Sequence, residues 1–218
     1  MIDLHTHSLF SDGQLIPSEL VRRLGAIGYR AVAITDHVDS STIDFIIPRI
    51  IKVAEDLNQA QPVRVIPGVE LTHVPPSSIG SMVKTARDLG AVVVIVHGET
   101  IVEPVAIGTN RAGLEAGADI LAHPGLITLD EAALAAQKGI FLEISGRSGH
   151  SFTNGHVARM ALETGARLVL NSDAHAPGDF MTQELGDRIV EGAGLPKGSL
   201  EDLLKNSRLL LKNMGCHL

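Results

Sequence analysis

Met1-Ile-Asp-Leu-His-Thr-His-Ser-Leu-Phe-Ser-Asp-Gly13 is the stretch on which the fold turns. It reads as a short apolar strand ending in His5-Thr6-His7, followed by a polar loop with Ser11, Asp12 and Gly13. Alternate residues of an extended chain point the same way, so His5 and His7 can set two imidazoles side by side. Neutral imidazole is a common ligand for zinc, iron and related ions, which makes such a strand end a natural metal clamp. Taken alone the pair also fits two surface histidines, and the rest of the chain decides between these readings.

Outward from that strand, short apolar runs alternate with longer amphipathic ones. The strand candidates are residues 2–5, 31–35, 63–71, 91–97, 119–123, 140–145 and 167–172. They are rich in Val and Ile and mostly apolar on both faces, as strands covered on both sides must be. Helix candidates lie between them. Residues 17–27 open with Pro17 and stop at Gly28, and residues 41–59 carry apolar positions at helical spacing. Residues 78–89 stop at Gly90 and residues 109–116 at Gly117. Residues 128–138 begin with Thr128 three places before Glu131, a capping-box pattern, and 153–163 stop before Gly165. Helices over 183–190 and 199–214 follow the last strand. This repeated βαβα order argues a parallel α/β architecture. By itself it fits an open doubly wound sheet or a closed barrel. No Gly-rich phosphate fingerprint follows a strand, and no linker or composition shift divides residues 1–218, so one domain is expected.

The ends of these strands carry the functional signal. His5 and His7 end the first, Asp36-His37 the second and Glu70 the third. His97 ends the fourth and His123 the fifth, while Asp173 and His175 follow the seventh. In parallel α/β folds the C-terminal strand ends form one rim, where active sites sit. Six of the seven strands thus deliver His, Asp or Glu to a single rim. In an open sheet the outer strands would lie too far away to share a site, so the convergence favours a closed or nearly closed barrel.

Composition narrows the function. The 218 residues are 44% hydrophobic and 20% charged, as in globular soluble proteins. A formal charge of -7 without a long Lys/Arg run excludes a broad electrostatic grip on nucleic acid or anionic membrane. Cys216 is the single cysteine, which precludes an intrachain disulfide and fits a reducing cytoplasm. No signal-peptide pattern opens the chain, and the apolar run 91–96 is far too short to span a bilayer. The nine candidates at the strand ends exceed what one ion can take and fit two or three. Their His-rich mixture suits Zn, Mn or Fe. Paired ions ~3.5–4 Å apart are typical of phosphate-ester cleavage, where one lowers the pKa of a water and others hold phosphoryl oxygens.

Asp3-Leu-His-Thr-His-Ser-Leu-Phe-Ser-Asp-Gly13, Thr35-Asp-His37, Pro67-Gly-Val-Glu70 and Asn171-Ser-Asp-Ala-His175 together resemble the signatures of the polymerase and histidinol phosphatase (PHP) superfamily. The resemblance spans the chain. It implies a distorted (β/α)7 barrel, TIM-like, with a trinuclear metal site. By that resemblance His5, His7, Glu70 and Asp173 hold one ion and its reactive hydroxide. Glu70, His97 and His123 hold a second, with Glu70 bridging. Asp12, His37 and His175 hold the third. The family fills the Asp12 position with Asp or His, and leaves the metal open among Zn, Mn and Fe. Some members have lost their metals and serve as scaffolds, but this chain keeps a ligand-type residue at every position.

Other residues near the rim have more than one reading. Arg147, in the loop after the sixth strand, can hold a substrate phosphate through paired hydrogen bonds or stand solvated. His150 can protonate a leaving group, contact phosphate, or be a plain loop histidine. Glu143 can orient a ligand or pair locally, and Asn171 reads as a hydrogen bonder behind the ligands. Ser8 and Ser11 are expected to satisfy backbone groups, and Asp36 to hydrogen-bond structurally. His73 is read as a non-ligand, His156 and His217 as helix-surface residues, and Glu99 as facing substrate. Short loops are expected everywhere except 72–78 and 176–181.

The leading expectation is a metal-dependent phosphoesterase acting on a small phosphomonoester, histidinol phosphate-like or a nucleotide. A nuclease or phosphodiesterase on short oligonucleotides is the alternative, disfavoured by acidity and few aromatics. A non-catalytic scaffold subunit conflicts with the complete ligand set. C–N bond hydrolysis on a related barrel wants a bridging Lys that no strand end supplies. Small phosphorylated molecules are the expected partners, with no membrane and with nucleic acid only as a short substrate.

Overall fold

Seven parallel staves form the molecule's centre in the computed structural model, which describes residues 1–216 and 218. Strand β1 (Ile2–Asp3) leads through helix α1 (Pro17–Ala26) to β2 (Ala31–Ile34) and β3 (His37–Val38). Then follow α2 (Ile43–Ala60), β4 (Arg64–Leu71), α3 (Pro76–Asp88) and β5 (Val93–His97). Next come α4 (Thr109–Ala116), β6 (Ile120–Ala122), α5 (Leu129–Lys138), β7 (Phe141–Ser145), α6 (Asn154–Thr164) and β8 (Arg167–Asn171). Helices α7 (Gln183–Gly192) and α8 (Ser199–Asn213) close the chain. The order β1-β2-β4-β5-β6-β7-β8 is parallel throughout.

Each stave is buried because each is covered on both faces. Val93, Val94, Ile95 and Val96 are fully buried, as is Leu121 beside them. The helices turn one apolar stripe inward. In α1 that stripe is Leu20, Val21 and Leu24, at helical spacing. Thr128 caps α5 as expected: its side chain accepts from the Glu131 N–H, and the Glu131 carboxylate accepts from the Thr128 N–H. Gly68 allows close approach of neighbouring staves, since a Cβ there would lie 2.8 Å from both Thr35 Cγ2 and the Val93 carbonyl oxygen.

The second stave is interrupted. Ile34 pairs with Pro67 and His37 with Glu70, so the register holds across the gap at Thr35-Asp36. The gap frees the Asp36 carboxylate to accept hydrogen bonds from Ser8 N–H and Oγ–H, and from Ser11 N–H and Oγ–H. Ser8 and Ser11 therefore serve a carboxylate more than the backbone groups expected.

The barrel closes between β1 and β8 with side chains and one short bridge. Leu4 N–H donates to Asn171 Oδ1 at 2.9 Å, and Ser172 N–H to the Asp3 carboxylate at 3.2 Å. Thr6 bridges to Ala174 in parallel, with His7 N–H donating to the Ala174 carbonyl at 2.9 Å. Helix α8 covers this seam from outside, packing on β8 and β1. No described helix is long and apolar enough to cross a membrane.

Two loop expectations need correction. Helix α3 begins at Pro76, because proline suits a first helical turn, so the loop after β4 is short. Residues 98–108, between β5 and α4, form a long loop where a short one was expected, equal in length to 172–182 between β8 and α7, where a long loop was expected.

Candidate metal centre

The strand ends place the rim donors in one buried cluster. His5, His7, Glu70, His97, His123 and Asp173 are all buried at the C-terminal ends of the staves. Two of these donors sit on strained backbone: His123 has φ 28° and Asp173 φ 53°, the left-handed region that costs energy for residues with a Cβ.

Glu70 is the hub. Its Oε2 lies 3.3 Å from His5 Nε2, 3.7 Å from His7 Nε2 and 2.7 Å from His37 Nδ1. Its Oε1 lies 3.6 Å from His123 Nε2. Asp173 faces the same histidines, with Oδ1 3.6 Å from His5 Nε2 and 3.2 Å from His7 Nε2. Its Oδ2 lies 3.6 Å from His123 Nε2. Thus His5, His7, Glu70 and Asp173 converge. Asp12, His37 and His175 meet on the open side together with His7: Asp12 Oδ1 is 3.4 Å from His37 Nε2 and 3.1 Å from His175 Nε2. His97 stands against His123, ring centroids 4.4 Å apart, but its Nε2 faces Glu103, 3.2 Å away, rather than Glu70.

The donors are oriented from behind. His5 Nδ1 lies 2.8 Å from Glu143 Oε2, and Asn171 Nδ2 donates to the same oxygen at 2.9 Å. With Nδ1 engaged by Glu143, Nε2 is the nitrogen turned toward Glu70 and Asp173. His97 Nδ1 donates to the Gly98 carbonyl at 3.1 Å, which aims its Nε2 outward.

The electrostatics call for cations here. Glu70, Glu143 and Asp173 are buried carboxylates in one small volume, an expensive arrangement without positive charge among them. Burial, opposed by the charge of His5, pushes the Asp173 carboxyl up to about 7. Burial also disfavours a charged His5, yet the carboxylates of Glu143, Glu70 and Asp173 prevail and hold it well above the usual imidazole range. Burial and the charges of His37 and His5 hold His7 well below that range. His5 Nε2, both nitrogens of His7, Glu70 Oε1, His123 Nδ1 and Asp173 Oδ1 are buried without a hydrogen-bond partner. Orphaned donors of this kind, in His/carboxylate groups, fit divalent metal ions.

Beside this cluster lies a cavity of about 240 Å³, which Arg147 and His150 also line. Arg147 reaches the rim: its Nη1 lies 2.7 Å from His175 Nδ1 and donates to the Asp173 carbonyl at 3.2 Å. His150 is buried, not a solvated loop residue. Its ring stacks on His123 at 4.0 Å, and its Nδ1 lies 2.8 Å from Thr100 Oγ1. Burial, against the pull of Glu103, pushes its pKa down to about 4.

Other expectations are revised. Glu99, expected to face substrate, turns its carboxylate to α4 instead of lining the cavity: its Oε1 accepts from Gly108 and Asn110 N–H and so ties down the start of that helix. His156 is half-buried and its Nε2 lies 2.7 Å from the Ile127 carbonyl, linking α6 to the loop before α5. His217 lies outside the described residues. Glu103 was invisible to strand-end reasoning because it sits in mid-loop, six residues past His97. The run Glu99-Thr-Ile-Val-Glu103 was its only signal, two acids in a loop that leaves the rim.

Comparison with known proteins agrees with this architecture. An uncharacterized protein of Methanocaldococcus jannaschii is 47% identical over 215 residues, covering 97% of this chain and 99% of that protein. The DNA polymerase/3'-5' exonuclease PolX of Bacillus subtilis is 25% identical over 193 residues, 79% of this chain but 34% of PolX. Among solved structures, a chain in archaeal ribonuclease P with mature tRNA superposes with a TM-score of 0.75 at 16% identity, covering 98% of this chain and 91% of that one. A Listeria monocytogenes protein assigned as a histidinol phosphatase gives a TM-score of 0.61 at 12% identity, covering 83% and 97%. At such identities these two show the fold alone. The PHP domain profile itself matches residues 3–163, which takes in the rim donors of the first five donor-bearing staves. With that match over most of its length, the chain belongs to the PHP domain family.

Proposed function

We propose that the protein is a metal-dependent phosphoesterase that hydrolyses a small phosphomonoester, histidinol phosphate-like or a nucleotide. The observation that carries this reading is the convergence of His5, His7, Glu70 and Asp173, with orphaned buried donor atoms, beside a cavity of about 240 Å³. His5, His7, Glu70 and Asp173 would hold one ion, His123 with Glu70 and His97 a second, and Asp12, His37 and His175 a third. Bound Zn, Mn or Fe would supply water activation and neutralisation of phosphoryl charge.

The chain's own side chains do the remaining work. Arg147 presents its guanidinium at the cavity wall, where paired N–H groups suit two phosphoryl oxygens. His150 lines the same wall, placed to contact the phosphate or its leaving group. Glu143 and Asn171 hold His5 in one orientation from behind. The cavity's size suits a phosphoryl head with a compact leaving group. A diesterase acting on short oligonucleotides is the second reading, favoured by the match to PolX, whose name includes a 3'-5' exonuclease.

The test combines elemental analysis of the purified protein with turnover assays on phosphomonoesters, nucleoside bisphosphates and short oligonucleotides. Bound metal with release of phosphate from monoesters is expected. Bound metal without turnover of any phosphoester would overturn the proposal, and turnover of oligonucleotides alone would select the second reading.

A further inference from the structure

His175 Nδ1 has two neighbours that make opposite demands of it. Arg147 Nη1 lies 2.7 Å away and the Asp173 carbonyl oxygen 2.9 Å away. A guanidinium only donates and a carbonyl only accepts. One ring nitrogen therefore serves one of them at a time: bare, it accepts from Arg147; carrying a proton, it donates to Asp173. Arg147 Nη1 also donates to the Asp173 carbonyl at 3.2 Å, so the arginine satisfies that oxygen in the histidine's place.

The choice at Nδ1 decides what the other nitrogen can do. Nε2 faces Asp12 Oδ1 at 3.1 Å, in the group that includes His7 and His37. A histidine holds a metal ion through a nitrogen that carries no proton. With Arg147 on Nδ1, the ring proton sits on Nε2 and is donated to Asp12, so His175 is closed to an ion. With Nδ1–H given to the Asp173 carbonyl, Nε2 is bare and His175 is open. In that second state Arg147 at 2.7 Å would set one donor against another, so the guanidinium has to withdraw. It has room to do so: Arg147 sits in the loop after β7, keeps 31% of its side chain exposed and already lines the cavity.

We propose that Arg147 is a latch on the third metal group, closed on His175 in one state and released to the cavity in the other. This rests on the metal reading above and adds a direction of coupling to it. With His175 engaged by an ion, the guanidinium is free for phosphoryl oxygens; with the guanidinium drawn to a phosphate, His175 is open to the ion. Coupling of this kind is reciprocal.

The test follows the ring nitrogens of chelator-stripped protein by long-range proton–nitrogen NMR during titration with Zn(II), with uptake read against a chromophoric chelator. His175→Gln identifies both the ring signal and the equivalent that belongs to the third group. In stripped wild-type protein the His175 proton is expected on Nε2, moving to Nδ1 as that equivalent is taken up. Arg147→Met keeps an apolar stem and removes the donors. It should carry the proton on Nδ1 before zinc is added and bind the third equivalent about tenfold more tightly, an ordinary size for a coupling. A side chain that only props His175 gives the opposite sign, weaker binding. Inorganic phosphate should tighten the third equivalent more in wild-type protein than in Arg147→Met. A proton on Nδ1 in stripped wild-type protein, or a third equivalent bound equally or more weakly by the variant, would overturn the latch and leave the metal centre standing. Tighter binding with the ring proton unmoved would come from the lost charge alone and would overturn it too. Should Arg147→Met melt lower than wild type, the movement of the ring proton in wild-type protein decides by itself. Absence of zinc uptake by wild-type protein would instead overturn the metal reading itself.

Discussion

At the scale of single residues, the chemistry depends on which nitrogen of each histidine is free. His5 gives Nδ1 to Glu143 and keeps Nε2 for the cavity, so Glu143 sets the tautomer without touching the site. Glu143→Gln should keep the fold and weaken metal binding by about 10–100-fold, as read by competition with a chromophoric chelator. Asp173→Ala should abolish the inner metal, because it removes the carboxylate that faces His5, His7 and His123 together. Unchanged metal content and activity in that variant would refute the ligand assignment. Arg147 touches His175 and the Asp173 carbonyl while facing the cavity. Arg147→Ala should raise KM for a phosphomonoester with metal content retained; a fall in metal content alone would make Arg147 a support for His175 instead.

At the scale of elements, legibility followed local rules. Gly stops, Pro starts and the Thr128–Glu131 box marked helices whose boundaries shifted by two residues or fewer, as in α3 and α5. Thr128→Ala removes a side chain whose Oγ1 accepts from the Glu131 N–H and donates to Glu131 Oε2. It should cost about 1 kcal/mol and lower Tm by about 2–4 °C in thermal unfolding. Loops were less legible. Glu99 looked like a substrate contact because it follows His97, yet the turn of the chain points it back to cap α4. Gly125 shows how tightly the rim loops cross: its φ is 61°, and a Cβ there would lie 1.8 Å from the Glu99 carbonyl oxygen. Gly125→Ala should therefore destabilise the protein by more than about 2 kcal/mol and loosen the loop of Glu103, visible as faster amide exchange over 98–108.

At the scale of the whole molecule, the site exists only because the barrel closes. The seam hangs on Asn171, whose Oδ1 accepts from Leu4 N–H while its Nδ2 donates to Glu143. Replacing Asn171 by Ala strands the buried Leu4 N–H, at a cost of about 1–3 kcal/mol, and leaves Glu143 Oε2 with His5 Nδ1 as its remaining partner. Both stability and metal affinity should fall together, since one side chain supports the seam and the His5 orienter. Metal should in turn stabilise the fold, because the donors come from both ends of the chain and no such site survives unfolding. Chelation is expected to lower Tm by an amount that grows with the metal concentration of the starting sample.

The sequence by itself determined the parallel α/β order, the rim on which ligand-type residues fall and the PHP resemblance. These follow from periodicity, from strand ends and from motifs, all of which are local in the chain. Tertiary structure alone decided that β1 and β8 meet through Asn171 and Asp3, that His150 is buried against His123, and that Glu103 reaches His97 and His73. Such contacts join residues far apart in the chain or set by the path of a loop, and no local pattern encodes where a loop's side chains come to rest. The first strand shows both halves of that division. His5-Thr6-His7 announces a clamp in the sequence, and only the closed barrel supplies Glu70 and Asp173 to complete it.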